Sequence, residues 1–269
     1  HPKKILFMKY PKKVINHIEE WLKNYANKNK INGFVVGISG GIDSALTSTL
    51  CAKTKLPVLC LEMNIYQEKK QVSRALNHIN WLKKKFNNIS SKSLNLSNTF
   101  EAFKSDIGSK GEKNLEFLSF ANSRSRLRMM TLYHYATINN FLVAGTGNKV
   151  EDFGIGFYTK YGDGGVDISP IADLLKSEVY ALSKTIGVID EIQKAEPTDG
   201  LWSDNRSDEE QIGASYNELE WAMKYQNSNK IKDLTKRDKE VLSIYEKLNS
   251  KNSHKMSPIP ICQIPNSLR

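Results

Sequence analysis

The sequence predicts an α/β protein: a doubly wound, mainly parallel five-stranded sheet with helices on both faces, in one domain over residues 1–269. Three observations carry this expectation. Short apolar runs alternate with helix-period stripes along the first two thirds of the chain, the pattern left by parallel strands and their crossover helices. A glycine-rich turn, Gly37-Ile38-Ser39-Gly40-Gly41-Ile42-Asp43-Ser44, separates the first such run from a helix-like segment. No internal repeat, low-complexity linker or composition break divides the 269 residues, a length that supports a core without disulfides or metal.

Residues 14–25 place Val14, Ile15, Ile18, Trp21, Leu22 and Tyr25 on one helical face, which should pack against the sheet. Strand-like runs follow at residues 33–38 and 57–63, with a short one at 94–96. Between the second and third, Val72, Ala75, Leu76, Ile79 and Leu82 form a helical stripe. A helical region at 122–139 precedes a strand at 141–144, and Leu175, Val179, Leu182 and Ile186 mark a helix stopped at Gly187. In such sheets ligands bind beyond the carboxyl ends of the strands. The turns at 39–44 and 145–151 both leave such ends, so they should converge. Two polar stretches, about 196–210 and 249–260, are expected to be mobile loops that order over a ligand.

Composition is that of an ordinary soluble globule, with no apolar run near the roughly 20 residues that span a bilayer. Cys51, Cys60 and Cys262 are widely spaced, which fits reduced thiols in the cytoplasm and offers no zinc knuckle or redox pair. The formal charge of +10 spreads over lysine-rich helices without interleaved aromatics. Solvated faces and attraction for a polyphosphate explain it, and neither nucleic acid nor membrane is expected as a partner.

The turn at 37–44 has its own chemistry. Glycines let the main chain approach a ligand, a helix start presents unpaired N–H groups, and Ser39 and Ser44 add hydroxyls, so the turn suits pyrophosphate. It lacks the lysine that ends a Walker A loop, which argues against γ-phosphate transfer. An aspartate beside phosphates repels them unless a metal intervenes, so Asp43 makes sense as a Mg²⁺ ligand.

The pattern Ser39-Gly40-Gly41-x-Asp43-Ser44 after a strand resembles the signature loop of the ATP pyrophosphatase superfamily, which cleaves ATP between its α and β phosphates. Further segments, in order over about residues 12–258, resemble the ammonia-dependent NAD synthetase family. They are Arg126-Leu127-Arg128-Met129, Gly145-Thr146-Gly147-Asn148-Lys149-Val150-Glu151, Thr159-Lys160-Tyr161-Gly162-Asp163, Asp167, Lys176, Glu196-Pro197-Thr198 and His254-Lys255. The resemblance implies a Rossmann-like fold of the adenine nucleotide alpha hydrolase type, usually a homodimer. It also implies a reaction in which the nicotinate carboxylate of deamido-NAD attacks the α-phosphorus of ATP and ammonia then displaces AMP from the acyl-adenylate.

Residue by residue, the resemblance assigns Gly37, Ile38, Ser39, Gly40, Gly41, Ile42, Asp43, Ser44, Thr146, Lys176 and Thr198 to ATP. It assigns Asp43 and Glu151 to Mg²⁺, and Arg126, Lys160, Asp167, His254 and Lys255 to deamido-NAD. Lys176 is expected to stabilise departing pyrophosphate, and Asp163 to hold ammonium and help remove its proton. Arg126 and Arg128 cannot share one helix face, and Arg126 is read as the inward one. The spacing from Glu151 to Lys160 is a residue longer than in some relatives. Too few residues precede the first strand for a glutaminase domain, so free ammonia is the expected nitrogen source. A GMP synthetase-like enzyme, a tRNA-thiolating enzyme and a nucleotide-binding regulator stand as rivals.

Overall fold

Among the described residues four parallel strands form the sheet, β1 (Gly33–Gly37), β2 (Val58–Asn64), β3 (Ile89–Asn95) and β4 (Phe141–Val143), in the spatial order β3-β2-β1-β4. Phe34 aligns with Val58 on one side and Leu142 on the other. The order reverses at β1, which puts the carboxyl ends of β1 and β4 side by side. The computed structural model describes residues 8–108, 111–197, 207–226, 228 and 233–269. Residues 1–7 and most of the stretch expected to be a loop at 196–210, including Thr198, lie outside the described residues.

Helices cover both faces of the sheet, and each face is apolar. On one, α1 (Pro11–Lys28), α2 (Ile42–Lys53), α3 (Lys69–Lys85) and α6 (Lys176–Ile186) pack a core that includes Phe34, Val36, Val58 and Cys60. Proline at the first position of α1 costs no hydrogen bond, and Ile15, Ile18, Leu22 and Ala26 recur at helical spacing on its buried side. On the other face α5 (Lys113–Asn139) lays Leu132, Tyr133 and Ala136 against Val35, Leu59, Leu61 and Val143. Near-continuous apolar strands are what a sheet covered on both sides requires. A separate core joins a π-helical turn (Val150–Ile155) to α8 (Asp208–Ile212), α9 (Tyr216–Gln226) and α10 (Lys236–Met256). The remaining helices are α4 (Ser97–Ile107) and the short α7 (Asp190–Gln193). Among the described residues no helix is long and apolar enough to cross a membrane.

Two expectations need correction. Among the described residues the sheet has four strands rather than five, because the segment after residue 165 contributes one isolated parallel bridge, Ala144 to Ile168. Asp167 turns its carboxylate onto the Val143 N–H, 2.8 Å away, and Pro170 two residues past the bridge has no N–H to extend a ladder. The second correction concerns residues 249–256, which are the last turns of α10 and not a loop. Their asparagines read as loop composition, yet Asn249 and Asn252 donate side-chain hydrogen bonds to the carbonyls of Gly154 and Ile155 at the end of the π-helical turn. A π-helical turn is the local form that an added residue takes within a helix.

His78 on α3 is fully buried, with Nε2 2.9 Å from the Ser48 hydroxyl and its ring stacked on Trp81. Burial pushes its pKa down from 6.5 to about 4. As pH falls the unfolded chain takes up this proton first, so the stabilisation is complete above pH 6.5 and is lost towards pH 4. The loss amounts to about 3 kcal/mol. Denaturant unfolding of wild type and His78→Gln across this range is expected to show the wild type losing that much more stability; parallel pH slopes would contradict it.

Candidate functional site

The turn after β1 is held by its own hydroxyls. Ser44 Oγ accepts from the Ser39 N–H (3.2 Å) and donates to the Gly41 carbonyl (3.1 Å), while Ser39 Oγ accepts from the Gly41 N–H (3.2 Å). The hydroxyls therefore shape the cup, and the unpaired N–H groups at the start of α2 are left to face a ligand. Gly40 has φ of +83°, and a Cβ there would stand 2.6 Å from the Gln71 carbonyl oxygen of α3. Only glycine fits a left-handed backbone packed this closely.

Beside the cup stands a buried charge cluster. Lys176, the first residue of α6, is 3% exposed and donates from Nζ to Asp43 Oδ2 (2.6 Å) and Glu151 Oε1 (2.9 Å). Its helix start is fixed on two sides: Glu178 accepts from the Leu175 N–H, and Glu220 of α9 accepts from both the N–H and the hydroxyl of Ser177. Asn148 donates to Asp43 Oδ1 (3.0 Å) and accepts from the N–H groups of Val150 and Glu151, so one amide ties the two acidic turns together. The Tyr216 hydroxyl donates to Glu151 Oε1 (2.6 Å), and its ring lies 4.7 Å from the ammonium.

Electrostatics follow from this packing. Burial would depress the Lys176 ammonium, but the two carboxylates overcome it and hold its pKa above the ordinary lysine value. Burial raises Glu151, yet Lys176 and the hydrogen bonds outweigh it and the net direction is down. For Asp43, burial and the neighbouring Glu151 win, and the direction is up. Two acids against one base leave a formal charge of −1 at the edge of the cup. Asp152, next along the π-helical turn, is pushed up to about 8 by burial and then by Glu151, Asp163 and Asp43.

The cup and the cluster open into one cleft of about 730 Å³. Gly37, Ile38, Ser39, Gly41, Ile42, Asp43, Ser44, Thr146, Glu151, Asp163, Lys176, His254 and Lys255 all line it. Gly40 turns its backbone towards α3. Asp163 Oδ1 accepts from the Thr159 N–H (2.9 Å) and the Ser125 hydroxyl (2.8 Å), which fixes the orientation of the carboxyl on the cleft wall. Lys255 donates to the carbonyls of Gly156 and Tyr158, both 2.8 Å away.

Three residues that sequence assigned to the dinucleotide sit outside the cleft wall. Arg126 is exposed, its Nε donating to the Lys160 carbonyl. Lys160 donates to the His254 carbonyl. Asp167 accepts from the Tyr133 hydroxyl as well as the Val143 N–H. The inward arginine is Arg128, which lines the cleft, and not Arg126. Sequence reasoning also missed Asn148, Ser125 and Tyr216 as site residues. Asn148 lay inside a quoted segment, whereas Tyr216 is 65 positions from its partner and left no signal in the chain.

The site has known relatives. The sequence profile of NAD synthase matches residues 14–259. This chain belongs to the NAD synthase family. It is 35% identical over 266 residues to the NH(3)-dependent NAD(+) synthetase of Syntrophomonas wolfei, covering 96% of this chain and 99% of the relative. Among solved structures it superposes on an NMN synthetase from Francisella tularensis with a TM-score of 0.82 at 31% identity, covering 95% and 98% of the two chains. It superposes on an NH3-dependent NAD synthetase from Campylobacter jejuni with a TM-score of 0.76 at 27% identity, covering 94% and 99%. Members of the NAD synthase family are ligases whose known reaction is the ATP-dependent amidation of deamido-NAD.

Proposed function

We propose that this chain amidates deamido-NAD with ammonia through an acyl-adenylate, and that the convergence of Asp43, Glu151 and Lys176 beside the glycine cup is the observation that carries the reading. A carboxylate oxygen is too poor a leaving group for an amine to displace, so activation comes first. The nicotinate oxygen bonds to the α-phosphorus of ATP as the bond to the bridging oxygen breaks and pyrophosphate leaves. Ammonia then bonds to the carbonyl carbon, AMP leaves with the electron pair of the carbon–oxygen bond, and nitrogen gives up a proton. No protein nucleophile is needed: the chain positions anions and neutralises developing charge.

Each group has a part. The cup between residues 37 and 44 and Thr146 hold ATP, Lys176 places a fixed positive charge where pyrophosphate departs, and His254 and Lys255 face the second substrate. Asp163, its carboxyl oriented on the cleft wall by Thr159 and Ser125, is the group suited to hold ammonium and accept its proton. Asp43 and Glu151 converge on one cation already, which fits a divalent ion in the same region. Among the described residues no three acids, histidines or cysteines gather for a metal, so Mg²⁺ held by Asp43 and Glu151 would complete its shell from water and phosphate. When bound, that ion screens the triphosphate and makes its α-phosphorus easier to attack.

A second reading replaces the dinucleotide by nicotinate mononucleotide. It is favoured by the likeness to the Francisella tularensis NMN synthetase, and by the position of Arg126, Lys160 and Asp167 outside the cleft. The test is purified chain with ATP, Mg²⁺, ammonium and either nicotinate substrate carrying an ¹⁸O-labelled carboxylate. The expected products are amide and AMP in equal amounts, pyrophosphate, and label in AMP. Formation of ADP, or unlabelled AMP, contradicts the acyl-adenylate, and a higher kcat/KM with the mononucleotide selects the second reading. In this assay Asp163→Asn should raise the KM for ammonium by about tenfold or more with the KM for ATP nearly unchanged; an unchanged ammonium dependence removes Asp163 from the role.

We also propose a homodimer built on α5. This helix buries only Ala121, Arg124 and Ala136, while Leu115, Leu118, Met130 and Ile138 lie open, Ile138 at 64%. Large apolar side chains left open on a helix that already packs its other face on the sheet belong in an interface. Light scattering is expected to give twice the chain mass, and Met130→Glu with Ile138→Glu to give a folded monomer. A wild-type chain that stays monomeric at assay concentrations contradicts the proposal.

A further inference from the structure

One buried donor in the cleft has nothing to donate to. Arg128, just past the middle of α5, lines the cleft together with Gly37, Met63 and Leu132. Its Nε donates to the Met63 carbonyl at the end of β2, 3.0 Å away. Its Nη2 is shut off from solvent and has no hydrogen-bond partner among the described residues. Buried polar groups in folded proteins are nearly always paired, and a charged one left unpaired is the costlier case.

The neighbouring acids do not meet the need. Glu62 accepts from the Ser93 hydroxyl and Asp163 Oδ1 accepts from Thr159 and Ser125, and neither acid accepts from Nη2. Arg124, one turn earlier on the same helix, is buried and adds a like charge. A planar guanidinium anchored through one nitrogen and unpaired at another is the form that binds an oxyanion.

We infer that Arg128 binds an oxyanion of a substrate, and that its Nη2 is paired only when the cleft is filled. The inference rests on the proposed reaction for the identity of the substrates, whose oxyanions are the phosphates of ATP and the carboxylate or phosphates of the nicotinate nucleotide. Arg128 is a binding residue at the carboxyl end of β2, on the cleft wall opposite α2 and α3. The sequence separates the two arginines by face but favours Arg126 as the inward one, and the structure reverses that choice.

The experiment is separate calorimetric titration of ATP with Mg²⁺, and of deamido-NAD, into wild type, Arg128→Met and Arg128→Lys, so that no turnover occurs. Loss of a charge-assisted hydrogen bond is expected to weaken one of the two ligands by about tenfold to a hundredfold in Arg128→Met, with Arg128→Lys intermediate. Weaker ATP alone assigns the oxyanion to the triphosphate, and weaker deamido-NAD alone to the acyl substrate. The unliganded Tm of Arg128→Met should stay within about 3 °C of wild type, because the side chain lost includes an unsatisfied group. A lower Tm with both affinities unchanged gives Arg128 a structural role and overturns the inference. Should Arg128→Met not fold, Arg128→Lys decides by the same comparison. A wild type that binds ATP but makes no amide refutes the reaction, while the ATP affinity ratio still decides Arg128.

Discussion

A lysine ammonium wedged between two carboxylates that reach it from different turns is the contact on which the rest of this molecule hangs. Asp43 lies in the first turn of α2, Glu151 in the π-helical turn beyond β4, and Lys176 begins α6, so one buried cluster fixes three segments far apart in sequence. Buried ions cost desolvation, and they persist only where partners and hydrogen bonds are complete. Here Asn148 and Tyr216 complete them. The remaining formal charge of −1 is the feature on which the proposal of a divalent ion beside the polyphosphate rests.

The fold supplies the geometry. A sheet whose order reverses at β1 sets two loops at adjacent carboxyl ends, and apolar cores on both faces keep those ends from shifting. The separate core around α9 and α10 does different work: it carries Tyr216 and Glu220 to the cluster, and Asn249, Asn252 and Lys255 to the carbonyls of residues 154–158. That region holds the far wall of the cleft. Its hydrogen bonds run to main-chain carbonyls, so they set the backbone path and leave few marks in side-chain pattern.

This division explains what could be read in the chain. The strand, glycine turn and helix of residues 33–53 are local, and periodicity with turn chemistry describes them fully. Helix α1 and the stripe of α3 were legible for the same reason. The edge strand β3 is polar, Ile-Ser-Ser-Lys-Ser-Leu-Asn, as suits an edge that must not recruit another chain, and it showed only its last residues. Helix α4 offers few apolar residues and went unseen. The asparagines of α10 signal a loop unless the carbonyls they satisfy are known. At the site, Asp43, Glu151 and Lys176 were visible as motif positions, but that they would meet at one ammonium, and that Arg128 and not Arg126 would turn inward, depends on packing across the sheet.

The central claim is that the cation between Asp43 and Glu151 is a pairing and not a coincidence of buried groups. Unfolding free energies around the cycle of wild type, Lys176→Met, Asp43→Asn and the double variant test it most directly. Removing the lysine alone strands two buried carboxylates and should cost about 3–5 kcal/mol, whereas removing the acid as well should recover more than about 1 kcal/mol of that loss. Strictly additive losses, with the double variant less stable than Lys176→Met by the full cost of Asp43→Asn, would contradict the account.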